Sequence, residues 1–193
     1  QTDSTVIPVT AREQQAYVDV QIPFTDGAVV ANDTIILHPD NTPDKEWQAL
    51  MEYELLQARE ALDAVDAALK HFDKTNTLFQ IDWYWANNHA YGMTAKLLDP
   101  QQKITIETEL HKHLNDQGLF DYVRPSWVNQ YLGFMPKGIG KGPAVRHLLN
   151  TRQDLKNRPT IGMGDAPTDL DFMKLCDTLI VPNNTMNAQK LFT

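Results

Sequence analysis

The apolar residues of this chain keep two different rhythms, and the change between them constrains the fold more than any other feature. Near both ends they form short unbroken runs: Val6–Val9, Ala28–Ala31 and Thr34–Leu37 early, Pro159–Met163 and Thr178–Val181 late. Runs of four or five apolar residues without alternation suit strands covered on both faces, as in a parallel sheet. The polar stretch Ala11–Tyr17 reads as one or two helical turns, and Pro143–Leu149 and Asp169–Leu175 read as helices between the late strands. Both ends therefore alternate strand with helix.

The middle of the chain behaves differently. Thr42-Pro43 is expected to open a long helix, with proline where a missing N–H costs nothing. Trp47, Leu50, Met51, Leu55, Ala58, Leu62, Val65, Leu69 and Phe72 then recur at spacings of three and four, one apolar stripe opposite Glu46, Glu54, Arg59, Glu60 and Lys70. Leu78–Trp85 and Tyr91–Leu98 predict an antiparallel pair around a turn at 86–89. Pro100–Asn115 predicts a second helix, with Ile104, Ile106, Leu110 and Leu114 inward and Gly118 past its end. Phe120–Arg124 and Trp127–Phe134 predict two more strands around Pro125-Ser126. The order helix-strand-strand-helix-strand-strand is an α+β block of its own. The expected fold class is α/β: a Rossmann-like parallel-sheet core from residues 1–39 and 136–193, interrupted by an α+β domain at 40–135.

Composition narrows the functions open to such a chain. The 193 residues are 42% apolar and 22% charged, which excludes disorder and collagen-like repeats as the main state. A net charge of −8 argues against nucleic acid as a partner, because non-specific binding needs a cationic face to displace counterions. Its one cysteine, Cys176, forms no internal disulfide, and no apolar run approaches the roughly 20 residues that span a bilayer. With no basic leader followed by an apolar stretch, the expectation is an acidic cytoplasmic protein without a membrane partner.

Three segments carry chemistry. Gly162-Met163-Gly164-Asp165-Ala166-Pro167-Thr168-Asp169 follows a predicted strand and precedes a helix, where α/β sheets place their sites. Two carboxylates four residues apart in such a loop can share a hard cation, and the segment also reads as a turn with an Asp helix cap. Lys137-Gly138-Ile139-Gly140-Lys141-Gly142-Pro143 lacks the residues of a Walker A loop. A lysine ahead of a proline-started helix is nonetheless placed to hold an anion, or else belongs to a solvated loop. Thr10-Ala11-Arg12 ends the first run, where a hydroxyl and backbone N–H groups can bind phosphate oxygens or simply cap a helix.

Hydroxyl after one strand, lysine before a helix, then G-D-x-x-x-D after another strand: this order resembles the haloacid dehalogenase superfamily of phosphatases. Thr10 matches the second motif of that family, Lys141 the third, and Asp165 with Asp169 the fourth. Lys141-Gly-Pro-Ala-Val-Arg-His-Leu-Leu is similar to the K-G-x-A-x-x-x-L stretch of members with a large cap inserted before it. The α+β block resembles the cap of the sugar-phosphate branch, which includes sucrose-phosphatase-like and phosphomannomutase-like proteins. Asn32-Asp33 falls where many capped members carry Asn-Gly.

The resemblance implies a Mg²⁺-dependent hydrolase of a small phosphorylated metabolite, a sugar phosphate, acting through an aspartyl-phosphate. It implies phosphate contacts from Thr10 and Lys141, substrate contacts from Arg12 and Asn32, and metal ligation by Asp165 and Asp169, the last binding a metal water or orienting Lys141. Specificity would come from the cap, with Asn87, Asn88, His89, Lys96, Arg124 and Asn129 as candidates.

One departure is expected. The family's first motif, D-x-D-x-T, belongs about a helix before Thr10, and only nine residues precede Thr10 here. Gln1-Thr2-Asp3-Ser4-Thr5 imitates its spacing with glutamine in the nucleophile's place. The first core strand, its aspartates and the first helix are thus expected to be missing, with a gap between the strands led by Val6 and Ile161. The alternatives are a catalytically inactive remnant or ligand-binding module, and an interaction domain using Trp83, Tyr84 and Trp85.

Overall fold

The computed structural model describes residues 4–21, 24–75, 77–86 and 89–188; Asp3, Asn87 and Asn88, singled out above, lie outside the described residues. Helix α1 (Gln14–Val18) is followed by β1 (Ala28–Val30) and β2 (Ile35–Leu37). These two strands pair antiparallel, with Ala28 opposite Leu37. The parallel contact to β1 comes instead from the segment before α1, where Val9 bridges Val29. A connection as short as 31–34 closes a hairpin, whereas a parallel crossover needs a dozen residues or more. The hairpin turns through three successive left-handed residues, Ala31, Asn32 and Asp33, at φ 53°, 50° and 72°.

Helix α2 (Lys45–Phe72) starts two residues after Pro43. Its cap is Asp44, whose carboxylate accepts the N–H of Trp47 at 2.8 Å; Pro43 lies outside, bridged to Leu37. Leu62, Val65 and Leu69 are fully buried, as the stripe requires, but Leu50 is 45% exposed. Strands β3 (Phe79–Ala86) and β4 (His89–Leu97) form the expected hairpin, with Tyr91 as an extra residue on β4. Helix α3 (Lys103–Asp116) follows a 3₁₀ turn at Pro100–Gln102. It buries Ile106, Leu110 and Leu114 while Ile104 stays 82% exposed, and Gly118 turns the chain away at φ 68°.

Strands β5 (Val123–Val128) and β6 (Tyr131–Pro136) turn at left-handed Asn129, not at Pro125-Ser126. Residues Leu119–Asp121 form a 3₁₀ turn rather than strand. Pro125 therefore sits inside β5, tolerated because β5 is an edge of the sheet β3-β4-β6-β5. One face of this antiparallel sheet carries Phe79, Met93, Leu97, Val123 and Phe134 against α2 and α3. The alternate residues, among them Gln80, Asp82, Lys96, Arg124 and Ser126, lie on the opposite face.

After β6 come α4 (Lys141–Thr151), β7 (Ile161–Met163), α5 (Leu170–Met173) and β8 (Thr178–Ile180). Strands β7 and β8 are parallel, Ile161 opposite Thr178. Val145, Leu170, Phe172 and Met173 form a buried cluster on which Val9 packs. A cavity of about 550 Å³ is lined by Thr5, Ile7 and Val9 on one side and by Thr160, Ile161 and Cys176 on another. The chain forms two compact units, Gln1–Ala49 with Ile139–Thr193, and Leu50–Gly138, so the first boundary falls inside α2.

Candidate active site

Lys141 is the first residue of α4, and its ammonium Nζ lies 2.5 Å from Oδ1 of Asp169. Asp169 ends a 3₁₀ turn, Pro167–Asp169, that leads into α5. Its other oxygen, Oδ2, accepts the backbone N–H groups of Asp165 at 3.0 Å and Ala166 at 2.9 Å. One carboxylate thus fixes the lysine and folds the loop that follows β7. Gly164 is required here: a Cβ on it would overlap the side chain of Asp169.

Asp165 stands differently. It is exposed, and its carboxylate takes no hydrogen bond or ion pair among the described residues. Its backbone is held from behind by Asn187, a residue with no motif to announce it. Asn187 is completely buried; its N–H donates to the carbonyl of Asp165 at 3.1 Å and its Nδ2 to that of Gly164 at 3.2 Å.

Asp165 was expected to ligate Mg²⁺ and Asp169 to bind a metal water or orient Lys141; the oxygens of Asp169 lie on Lys141 and the loop, and no group of three metal-ligating side chains occurs among the described residues. Mg²⁺ keeps most of its waters and takes one or two carboxylates plus phosphate oxygens, so the open carboxylate of Asp165 fits it as a single protein ligand.

Thr10 follows Val9. Its N–H donates to Val29 and its hydroxyl oxygen accepts the N–H of Arg12 at 3.2 Å, a local turn. The carbonyls of Ala11 and Arg12 accept the N–H groups of Asn32 and Ala31, so the left-handed turn and the Thr10 segment are stitched together. Arg12 is exposed and Asn32 half-buried. These bonds tie Thr10, Arg12 and Asn32 to one another, as the Asp169 carboxylate ties Lys141 to the Asp165 loop. Burial pushes the Cys176 thiol up, against the pull of the Thr160 hydroxyl.

In the other unit, Lys96 and Arg124 stand on the sheet face away from α2 and α3, Lys96 over the Tyr131 ring at 5.9 Å. His89 Nε2 is 3.9 Å from Glu52, and Asn129 is the exposed turn residue. No helix among the described residues is long and apolar enough to cross a membrane.

A family model for haloacid dehalogenase-like hydrolases matches residues 12–190. The chain belongs to this family. No curated protein matches this haloacid dehalogenase-like hydrolase by sequence. Solved structures do match it: the sucrose-phosphatase of Synechocystis sp., in complex with sucrose and phosphate, at 18% identity and TM-score 0.65, over 95% of this chain and 72% of that one. The C-terminal domain of Candida albicans trehalose-6-phosphate phosphatase aligns at 17% identity and TM-score 0.56, over 88% and 59%. Trehalose-6-phosphate phosphatase of Aspergillus fumigatus aligns at 16% identity and TM-score 0.58, over 96% and 71%. Their likeness places the haloacid dehalogenase-like fold across both units.

Proposed function

We propose that this chain is part of a Mg²⁺-dependent phosphatase that hydrolyses a small phosphorylated metabolite, a sugar phosphate, through an aspartyl-phosphate. The observation that carries the reading is the division of labour in the loop after β7: Asp169 holds Lys141, and Asp165 on the same loop keeps its carboxylate open. An ammonium fixed in this way is a preorganised charge, with no reorganisation needed as phosphoryl charge develops.

In the proposed route a carboxylate from outside the described residues attacks phosphorus and the sugar oxygen leaves with a proton. Water then attacks the aspartyl-phosphate, releasing phosphate and the carboxylate. Lys141 donates to a transferring phosphate oxygen, and the Thr10 hydroxyl, with the N–H groups beside it, donates to another. Asp165 holds the Mg²⁺, which when bound offsets the repulsion between attacking carboxylate and phosphate dianion. Arg12 and Asn32 face the substrate side of the Thr10 loop. The sheet face bearing Gln80, Asp82, Lys96 and Arg124 offers donors and acceptors suited to sugar hydroxyls, with His89 and Asn129 at its loops; sucrose- and trehalose-6-phosphate phosphatases share the fold.

The test is phosphate release by the full-length protein from a panel of hexose and disaccharide phosphates, with Mg²⁺ and with EDTA. Turnover of at least one sugar phosphate that EDTA abolishes supports the reading. Tight binding of sugar phosphates without turnover marks a ligand-binding module instead.

A further inference from the structure

The two edges of the antiparallel sheet in Leu50–Gly138 are defended very differently. The edge strand β5 carries Pro125 near its middle and Arg124 beside it, devices that stop another strand from pairing there. The opposite edge, β3, runs eight residues from Phe79 to Ala86 with no proline and no lysine. The irregularity in its pairing with β4 puts the extra residue, Tyr91, on β4, so β3 itself is unbroken. The Phe79 N–H at the start of β3 donates to Asp73; from there on, the backbone–backbone bonds of β3 go to β4 alone among the described residues.

The side chains along this edge are those of an interface. Trp85 is 51% exposed and Tyr84 37%. Arg59 of α2 lies 5.0 Å over the Trp83 ring and 5.4 Å over that of Trp85, holding both indoles in place. One turn earlier on α2, Leu56 is 55% exposed. Ordering these side chains before contact removes part of the entropy cost of association.

We infer that β3 pairs with β3 of a second copy of this chain, antiparallel about a two-fold axis at Trp83. This register follows from self-complementarity. Residues opposite each other in an antiparallel pair share a face. Centring on Trp83 sets Ile81 opposite Trp85 and Asp82 opposite Tyr84, apolar against aromatic on one face and carboxylate against phenol on the other. Centring one residue earlier would bring the two Asp82 carboxylates together, a like-charge pair that opposes association. Pairing at Trp83 joins the two sheets into one and covers both exposed edges, a closed isologous contact.

The inference is independent of the phosphatase reading and is tested without substrate. Sedimentation velocity of the full-length protein over a concentration series should show monomer converting to dimer. Trp85→Lys and Asp82→Lys, both at exposed positions and on opposite faces of β3, should each give a cooperatively melting monomer whose melting temperature no longer depends on protein concentration. Val128→Lys, at an exposed position on the β5 edge, should dimerise as the parent does. A monomer at every concentration overturns the inference, as does a dimer that survives either β3 substitution or is lost with Val128→Lys.

Discussion

Lys141 and Asp169 stand 28 residues apart in the chain, and their charged atoms meet at 2.5 Å with side chains only 14% and 7% exposed. Sealed from water, such a pair gains little net energy over apolar packing, but removing one partner strands the other charge. The two halves are unequal. Without Lys141, Asp169 still accepts two backbone N–H groups; without the carboxylate, Lys141 keeps no partner among the described residues and both loop N–H groups lose their acceptor. Asp169→Ala is therefore expected to lower the unfolding free energy by about 3–5 kcal/mol, and Lys141→Met by clearly less. Urea denaturation of the full-length protein measures both, and the reverse ordering would contradict the assignment.

Catalysis separates the two lysines on either side of Gly138 and Gly140. Lys137 is exposed, its backbone N–H tied to Tyr122, while Lys141 is held by Asp169. Under the proposed function, Lys141→Ala should lower kcat by about 10²–10³, the usual effect of removing one preorganised donor. Lys137→Ala should stay within about threefold, since exposed lysines contribute little. Equal losses in the two variants would show that Lys141 does not reach the phosphoryl group.

The open carboxylate of Asp165 predicts a metal response that needs no turnover. Mg²⁺ should raise the melting temperature of the full-length protein, and Asp165→Asn should abolish the rise while leaving the metal-free melting temperature unchanged. A variant that still responds to Mg²⁺ would place the cation elsewhere.

How far the sequence could be read depended on whether the information was local. Lys141, Asp165 and Asp169 are legible because the chemistry of each is carried by its residue type and its place after a strand or before a helix. The spacing of the two carboxylates left open whether Asp169 meets a metal water or orients Lys141, because it does not say which way the oxygens point; in the fold they lie on Lys141 and the loop. Periodicity found the buried stripes of α2 and α3 but widened them by one residue each: Leu50, between buried Trp47 and Met51, and Ile104, at the start of its stripe, are exposed. Pro125 read as a turn because proline usually marks one; its place in an edge strand is a property of the sheet. Asn187 was illegible for a similar reason. A buried asparagine is recognisable only once the carbonyls it serves have been brought to it.

Those carbonyls make Asn187 a positioning residue with a testable signature. Its two donors hold Gly164 and Asp165, so removal should loosen the loop on which both the Asp169 pair and the Asp165 carboxylate depend. Asn187→Ala leaves the Gly164 carbonyl without its donor and a void behind it, an expected cost of about 1–3 kcal/mol. The Mg²⁺-induced rise in melting temperature should shrink, although Asn187 itself is buried and touches no cation. A destabilised variant with the full Mg²⁺ response would reduce Asn187 to packing.

Acid should weaken the Leu50–Gly138 unit through Asp73, just past the end of α2. Burial pushes this carboxyl up, but the N–H groups of Phe79, Thr77 and Leu78 and the hydroxyl of Thr75 outweigh it, so it sits below the usual carboxylate range. A group whose pKa is lower folded than unfolded binds more protons when unfolded, so its contribution is complete above the unfolded value of about 3.9. It disappears as pH falls from there through the lower folded value. Asp73→Asn keeps one acceptor oxygen but faces an N–H group with its own amide, and should cost about 2 kcal/mol at pH 7, since bonds to a charged acceptor are the stronger kind. The cost should shrink as pH falls below the unfolded value and through the lower folded one, where the parent's carboxyl takes up its proton as well. Urea midpoints at pH 7, 4 and 2.5 for parent and variant measure it; curves that stay parallel through acid would mean that Asp73 is not ionised in the fold.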